Sequence, residues 1–289
     1  MLKGSIVALI TPFMDDSLDE ENYIKLIDYH LKNGSNGIVP GGTTGESPTL
    51  SHKEHKKIIE ISVKECNSKI PVIAGTGSNS TEEAIELSKF AEKAGTDALL
   101  IVTPYYNKPT QEGLYQHYKK INDSVGIPIL IYNIPSRSVI DMSVDTMTKL
   151  FELKNIVGVK DATGDLKRVE LQKKSMGNEF IQLTGNDDNA LEFNKLGGVG
   201  AIGVTANIAA KLSSEFQKAC VNDMNKAVEL NKILQPLHAA MFIESNPSPV
   251  KFAASLLNMC QSNVRLPLVE VQDESKQKII QALKVAKML

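Results

Sequence analysis

A lysine at the end of an apolar run is the residue with the clearest chemical potential in this sequence. Lys160 closes the run NIVGVKD, which begins at Asn155. Burial at the end of a strand disfavours the charged ammonium and leaves more free amine, which is the form that attacks a carbonyl carbon. The alternative is an ion pair with Asp161 or Glu152 at the rim of a sheet, because ion pairs that only stabilise a structure also shift the pKa of a lysine. The residue types therefore predict a Schiff-base lysine and leave the ion pair open.

The segment GGTTGES, which runs from Gly41 to Ser47, is a second candidate. Its glycines allow backbone amides to face a ligand, and the hydroxyls of Thr43 and Thr44 can bind a carboxylate or pass a proton. The segment lacks the Gly-Lys-Ser/Thr ending of a phosphate-binding loop, which disfavours a nucleotide. A plain glycine turn is the alternative.

Two further segments place polar groups after apolar runs. Tyr132 and Arg137 frame YNIPSR, where a phenol can act as acid or base and a guanidinium can hold a carboxylate through two hydrogen bonds. The segment TPYYNKP, which begins at Thr103, is rigid and aromatic. A packing tyrosine, a solvated arginine and a loop that only covers the site remain possible for each segment taken alone.

The elements that must position these residues alternate in a regular way. Short runs rich in Val and Ile are separated by longer amphipathic stretches, which predicts parallel strands joined by helices. The predicted strands are Ser5–Thr11, Gly37–Val39, Pro71–Ala74, Ala98–Thr103, Pro128–Tyr132, Ile156–Lys160, Phe180–Thr184 and Gly200–Thr205. The helices between them are Glu20–Lys32, His52–Cys66, Thr81–Ala94, Gln111–Asp123, Val144–Phe151, Leu166–Met176 and Asp188–Leu196.

This alternation predicts an α/β fold of the (β/α)₈ TIM-barrel type, with the active site at the carboxyl ends of the strands. An open doubly wound sheet is the alternative, but the glycine fingerprint that it would need after the first strand is absent. After Thr205 only helical patterns follow, at Ala209–Asn222, Asn225–Met241, Pro249–Met259 and Glu274–Lys287. We therefore expect a catalytic barrel over residues 1–223 and a C-terminal helical domain, packed beside it, over residues 224–289.

Composition restricts the partners. The formal net charge is −2, so nucleic acid and anionic membranes are not expected partners. No apolar run is long enough for a membrane span, and three scattered cysteines suit reduced thiols in the cytoplasm. The histidines do not follow the strands, so a metal-dependent aldolase is set aside. Together, a nucleophile, proton carriers and carboxylate binders suit carbon–carbon bond chemistry on a small keto acid.

The motifs GGTTGES, TPYYNKP, YNIPSR and GVKDATGD resemble those of the dihydrodipicolinate synthase (4-hydroxy-tetrahydrodipicolinate synthase) family. That family lies within the pyruvate-dependent class I aldolases that include N-acetylneuraminate lyase. The resemblance covers essentially the whole chain and implies condensation of pyruvate with aspartate semialdehyde in a homotetramer, without a metal or organic cofactor. Arg137 is the sharper mark of the synthase, because the lyases typically lack an arginine there.

The resemblance also implies a role for each matching residue. Lys160 forms the imine with pyruvate, while Tyr132, Thr43 and Tyr106 relay protons, with Tyr106 supplied by a neighbouring subunit. Thr43 and Thr44 hold the pyruvate carboxylate, Arg137 holds that of the semialdehyde, and the backbones of Gly185 and Ile202 line the pocket. A feedback site for lysine is implied at Ser47, His52, His55, Asn79, Glu83 and Tyr105.

Three other functions remain open from the residues alone. Another pyruvate aldolase, such as N-acetylneuraminate lyase or a keto-deoxy sugar acid aldolase, would use the same lysine. A non-catalytic barrel that only senses a keto acid would not need Lys160, Tyr132 and Thr43 all to be present. A phosphate-binding isomerase is suggested only by the glycine-rich segment Gly197-Gly198-Val199-Gly200. The end of a helix would explain these glycines equally well.

Overall fold

The computed structural model describes residues 2–289 and shows a closed barrel of eight parallel strands. The sheet order is β4-β1-β10-β9-β8-β7-β6-β5, and a bridge between Ile38 and Val72 joins its two ends. The barrel strands are β1 (Gly4–Ala8), β4 (Gly37–Val39), β5 (Ile73–Gly75), β6 (Ala98–Val102), β7 (Ile129–Asn133), β8 (Ile156–Asp161), β9 (Ile181–Thr184) and β10 (Gly200–Gly203). The predicted (β/α)₈ barrel is confirmed, and the predicted strand ends agree to within a few residues.

Helices follow the strands as the amphipathic patterns predict. Those around the barrel are α1 (Glu20–Lys32), α2 (His52–Cys66), α3 (Thr81–Ala94), α4 (Gln111–Asn122), α5 (Pro135–Ser138), α6 (Val144–Phe151), α7 (Lys167–Met176), α8 (Ala190–Lys195) and α9 (Ala210–Asn222). The C-terminal extension contains α10 (Met224–Met241), α11 (Ser248–Leu256) and α12 (Asp273–Val285).

Local signals account for the helix ends. The Ser51 hydroxyl accepts a hydrogen bond from the Glu54 amide, and the Glu54 carboxylate accepts one from the Ser51 amide. This reciprocal capping box satisfies donors that a helix start leaves without partners. At the other end of α3, Gly95 has φ +93°, a left-handed conformation in which glycine is favoured.

The sequence patterns did not predict two short elements. A hairpin joins β2 (Phe13–Met14) to β3 (Ser17–Leu18) through Asp15 and Asp16, both with positive φ. Strands this short carry no periodicity, so the pattern between Thr11 and Glu20 gave no signal. Helix α5 is a single turn that begins with Pro135, a residue favoured at the first helical position.

The two faces of the strands have different surroundings. Leu130, Tyr132, Leu183 and Ile202 belong to one buried cluster, which fills the inside of the barrel. Alternate residues such as Ile131 and Val159 pack against the surrounding helices. Lys160 pairs in register with Tyr132 on one side and Leu183 on the other, so it belongs to the inner face.

The C-terminal extension shares a hydrophobic core with the barrel. One cluster joins buried residues of β1, α1 and α2 to Leu234, Leu237, Val250 and Ile279 of α10 to α12. The proposed domain boundary between residues 223 and 224 falls where α9 meets α10, and it stays a prediction. Within residues 2–289, no helix has both the length and the apolar character to span a membrane.

Candidate active site

Lys160 lies at the carboxyl end of β8 with its amine over an aromatic ring. Its Nζ is 4.1 Å from the centroid of the Tyr132 ring, and each of the two residues is only 5% exposed. Because the two residues are register partners on β7 and β8, the backbone fixes their separation. The position suits a nucleophilic amine that is shielded from bulk water.

The ion-pair alternative for Lys160 does not hold among the described residues. Asp161 accepts hydrogen bonds from Arg168 Nε at 2.9 Å and Gln172 Nε2 at 3.0 Å, and no carboxylate forms a salt bridge with Lys160. Successive residues of a strand point to opposite faces, so Asp161 is turned away from the barrel interior. The Asp161 network therefore anchors the end of β8 while the lysine stays unpaired.

Gly185, at the end of β9, leaves the space that the lysine needs. A Cβ there would lie 3.0 Å from Lys160 Cε and 2.8 Å from Ala162 Cβ. Its backbone N–H donates to Asp161 O at 2.7 Å, which holds it against β8. Any side chain at this position would displace the lysine.

The turn after β4 presents two hydroxyls. Backbone hydrogen bonds from Gly45 to Gly42 O and from Glu46 to Thr43 O, each 3.1 Å, close it. Among residues 2–289, no acceptor binds the N–H groups of Thr43 and Thr44. A turn with free amides beside two hydroxyls suits a carboxylate.

The guanidinium of Arg137 lies across the cavity on α5. Arg137 Nη2 donates to Asn246 O at 3.3 Å, and its remaining N–H groups have no protein acceptor among the described residues. The side chain is exposed, so an incoming anion can reach it. A guanidinium with free donors matches the geometry of a carboxylate.

These groups surround one cavity of about 450 Å³. Six of the predicted site residues line it: Thr43, Thr44, Tyr132, Arg137, Lys160 and Gly185. Ile202 is fully buried among the residues that fill the barrel and is not part of the cavity wall. Tyr106 also lies away from the wall, with 88% of its surface exposed. Within residues 2–289, no group of His, Cys, Asp and Glu side chains is arranged to hold a metal ion.

The sequence model of the dihydrodipicolinate synthetase family matches residues 1–286. The chain belongs to this family. A curated relative, the 4-hydroxy-tetrahydrodipicolinate synthase of Pelagibacter ubique (strain HTCC1062), is 69% identical, and the match covers 100% of both chains.

Solved structures of the family agree with the fold. The chloride-inhibited dihydrodipicolinate synthase from Acinetobacter baumannii, complexed with pyruvate, superposes with a TM-score of 0.98 at 45% identity over 100% of both chains. A DHDPS from Cyanidioschyzon merolae with lysine bound gives a TM-score of 0.96 at 34% identity over 99% of both chains.

One wall of the cavity comes from the C-terminal extension, which the sequence patterns placed only beside the barrel. Gln235, His238 and Ala239, near the end of α10, and Phe242, the residue just after it, line it. Their spacing places them on one helix face, but that spacing is equally typical of a helix that packs on a core. The loop that follows adds Asn246.

His238 is the titratable member of that wall. Its Nδ1 is 2.7 Å from Thr205 Oγ1, and its Nε2 has no protein partner among the described residues. Burial lowers the pKa of His238, although Asp187 and Asp188 act in the opposite direction. Burial therefore favours the neutral form of the ring.

Three of the six residues expected at a lysine site, His52, His55 and Glu83, lie near one another and outside the wall of the catalytic cavity. His52 Nε2 lies 2.9 Å from Glu83 Oε1, and Ser78 donates to the other oxygen of Glu83. The Ser78 hydrogen bond lowers the pKa of Glu83, and His52 adds to the effect. His55 Nε2 is 2.7 Å from Gly75 O, while Asn79 O accepts from Asn107. Ser47 and Tyr105 are half-buried, with no side-chain hydrogen bond.

Proposed function

We propose that this chain condenses pyruvate with L-aspartate 4-semialdehyde to give 4-hydroxy-tetrahydrodipicolinate. This reaction is the first committed step of diaminopimelate and lysine biosynthesis. The observation that carries the proposal is a buried, unpaired Lys160 amine in a cavity with two carboxylate-binding ends, Thr44 and Arg137. The curated name of the Pelagibacter ubique relative supports it.

The reaction begins at Lys160. Its amine adds to the ketone carbon of pyruvate, and loss of water gives a protonated imine. The imine withdraws electrons, so a proton can leave the methyl carbon and form an enamine. Tyr132 and Thr43, both in the cavity wall, are the proposed proton carriers. Thr44 and the free amides of the turn hold the pyruvate carboxylate.

The second substrate completes the sequence. The enamine carbon attacks the aldehyde carbon of the semialdehyde and forms the new carbon–carbon bond. The amino group of the joined chain then attacks the imine carbon, and the bond to Lys160 breaks. The ring leaves, the lysine is free again, and one water has been released overall.

Arg137 separates this function from that of other pyruvate aldolases. Its free donors face the cavity, where they can bind a carboxylate carried by the aldehyde. A sugar aldehyde such as N-acetylmannosamine has no carboxylate to bind there. An arginine at this position therefore favours the semialdehyde.

We also propose a homotetramer in which Tyr106 completes the site of a neighbouring subunit. Tyr106 is 88% exposed and has φ +72°. A bulky residue is costly in that conformation, and such strain concentrates at functional positions. An exposed aromatic residue with a strained backbone is suited to an interface between subunits.

Feedback inhibition by lysine belongs to the same proposal. Glu83 provides a carboxylate for an ammonium, and His52, His55, Asn79, Ser47 and Tyr105 are the proposed partners around it. The structure of the Cyanidioschyzon merolae relative contains bound lysine, which supports the binding of lysine by a member of this family. We place the enzyme in the cytoplasm, where its three free thiols would stay reduced.

A direct assay tests the function. The purified protein is incubated with pyruvate and either L-aspartate 4-semialdehyde or N-acetylmannosamine, and consumption of each aldehyde is followed. We expect rapid use of the semialdehyde, with a product of the mass of the condensed ring. Preference for the sugar, or no condensation with either aldehyde, would overturn the assignment.

A further inference from the structure

Asn246 contacts both carboxylate-binding groups of the cavity. Its side-chain Nδ2 donates to Thr44 Oγ1 at 3.0 Å, and its backbone carbonyl accepts from Arg137 Nη2 at 3.3 Å. The residue is 5% exposed and lines the same cavity as Lys160. One residue of the C-terminal extension therefore reaches both ends of the site.

The direction of the first hydrogen bond determines what Thr44 can do. A hydroxyl has one proton to donate and two lone pairs that accept. Because Thr44 Oγ1 accepts from Asn246, its own proton remains available for another acceptor. The buried Oδ1 of Asn246 has no partner among the described residues, so it does not accept the Thr44 proton in this arrangement.

A buried ion pair holds Asn246 and the threonine turn together. Lys251, on α11, donates to Glu46 Oε1 at 2.7 Å and to Thr11 O at 2.9 Å. Lys251 and Glu46 are 0% and 1% exposed, and the Arg265 amide donates to the other oxygen of Glu46. Breaking such a pair leaves an uncompensated buried charge, so the turn and the start of α11 keep a fixed separation.

We propose that Asn246 is a positioning residue that directs the Thr44 hydroxyl proton toward the carboxylate of pyruvate. This role of Asn246 rests on the proposed function. Without Asn246, Thr44 rotates freely and loses the preferred direction of its donor. The contact with Arg137 uses the backbone carbonyl, which every side-chain substitution retains. Substitutions of Asn246 should therefore raise the KM for pyruvate and leave the KM for the semialdehyde nearly unchanged.

Steady-state kinetics of Asn246→Ala provide the first test. We expect the KM for pyruvate to rise about tenfold, as for loss of a hydrogen bond to a charged group. The KM for the semialdehyde should stay within about twofold, since its arginine keeps its partner. An unchanged KM for pyruvate, or an equal rise for both substrates, would overturn the proposal.

Asn246→Asp keeps the shape and removes the donor. Its carboxylate would accept the Thr44 proton and would also repel the carboxylate of pyruvate. The KM for pyruvate should therefore rise more than in Asn246→Ala. Asn258→Asp, at an exposed position further along the extension, adds the same charge and should behave as the wild type. If Asn246→Asp binds pyruvate as well as the wild type, the proposed direction of the hydrogen bond is wrong.

A double-mutant cycle shows whether Asn246 acts through Thr44. Thr44→Val removes the hydroxyl with little change in shape, and Asn246→Ala is then made in both backgrounds. In the Thr44→Val background, Asn246→Ala should cause no further rise in the KM for pyruvate, since coupled residues are not additive. Full additivity would show that Asn246 acts by another route. Asn246→Ser replaces Asn246→Ala in the cycle if the alanine variant does not fold.

Formation of the pyruvate imine can be measured by itself. This measurement distinguishes a failure of the Asn246 proposal from a failure of the proposed function. Trapping with borohydride measures imine formation without any aldehyde. A wild type that traps pyruvate but does not condense it with the semialdehyde would overturn only the proposed reaction. A wild type that condenses normally while Asn246→Ala traps pyruvate at the wild-type rate and concentration dependence would overturn only the role of Asn246.

Discussion

The amine of Lys160 lies 4.1 Å from the centroid of the Tyr132 ring, on the neighbouring strand of the barrel. An aromatic face attracts a cation, so the ring can stabilise both an ammonium and a protonated imine. The phenol at the edge of the same ring is the proposed proton carrier. The two roles belong to different parts of one side chain, and a substitution can separate them.

Tyr132→Phe keeps the ring over Lys160 and removes the phenol. We expect kcat to fall by about a hundredfold, the scale of a lost acid–base group, while pyruvate can still be trapped on the lysine. Steady-state kinetics and mass spectrometry measure the two effects. Tyr115→Phe, in a half-buried tyrosine of α4, is the matched control. Wild-type kcat in Tyr132→Phe would remove the phenol from the mechanism.

Arg137→Ala should lower kcat/KM for the semialdehyde and leave imine formation with pyruvate unchanged. Loss of a charged contact costs about 1.5–3 kcal/mol, so kcat/KM for the semialdehyde should fall by about ten- to a hundredfold. Imine formation with pyruvate serves as the internal control, because it precedes semialdehyde binding. A comparable fall in imine formation would show that Arg137 maintains the pocket and does not select the aldehyde.

Tyr106 can be tested by mixing subunits. Tyr106→Phe and Lys160→Ala should each be inactive alone, but a mixed oligomer should contain sites with an intact Lys160 and a partner's intact Tyr106. We expect activity to return after the two proteins exchange subunits. Lys160→Ala mixed with the double variant Tyr106→Phe/Lys160→Ala is the control, since no subunit then carries the lysine. Verified mixed oligomers without activity would contradict a shared site.

Lysine should inhibit the wild type at millimolar concentration without full competition against pyruvate. Coupling between distinct sites is typically about 1–3 kcal/mol, which allows a several-fold effect. Glu83→Ala should remove the inhibition and leave uninhibited turnover nearly unchanged. Glu82→Ala, an exposed carboxylate in the same first turn of α3, controls for the helix start. Indifference of the wild type to tens of millimolar lysine would show that these residues carry no such regulation.

The sequence predicted the barrel because its signals are local. Lys160 ends an uninterrupted apolar strand, Ser51 and Glu54 form a capping box, and Gly95 ends α3 in a left-handed conformation. Each signal spans a few residues, so a single pass along the chain detects it. The motifs on the barrel strands and turns therefore named five of the residues that line the cavity: Thr43, Thr44, Tyr132, Arg137 and Lys160.

The rest of the wall depends on contacts between distant parts of the chain. His238 and Phe242 occupy one face of a helix, a pattern that does not distinguish a cavity wall from a packed core. Asn246 binds Thr44 although 202 positions of the sequence separate them, so no local spacing links the two residues. The hairpin after β1 is too short for any periodic pattern. These features became visible only in three dimensions.

Mass spectrometry after borohydride reduction can identify the residue that forms the imine, which we propose is Lys160. The protein is incubated with pyruvate, reduced, digested and mapped, with Lys154→Ala and Lys160→Ala treated in parallel. We predict one pyruvate adduct on the peptide that contains Lys160, loss of activity in step with labelling, and neither label nor activity in Lys160→Ala. Lys154→Ala, which changes a lysine just before the same strand, should label and turn over as the wild type does. An adduct on another lysine, or full activity in Lys160→Ala, would contradict the account.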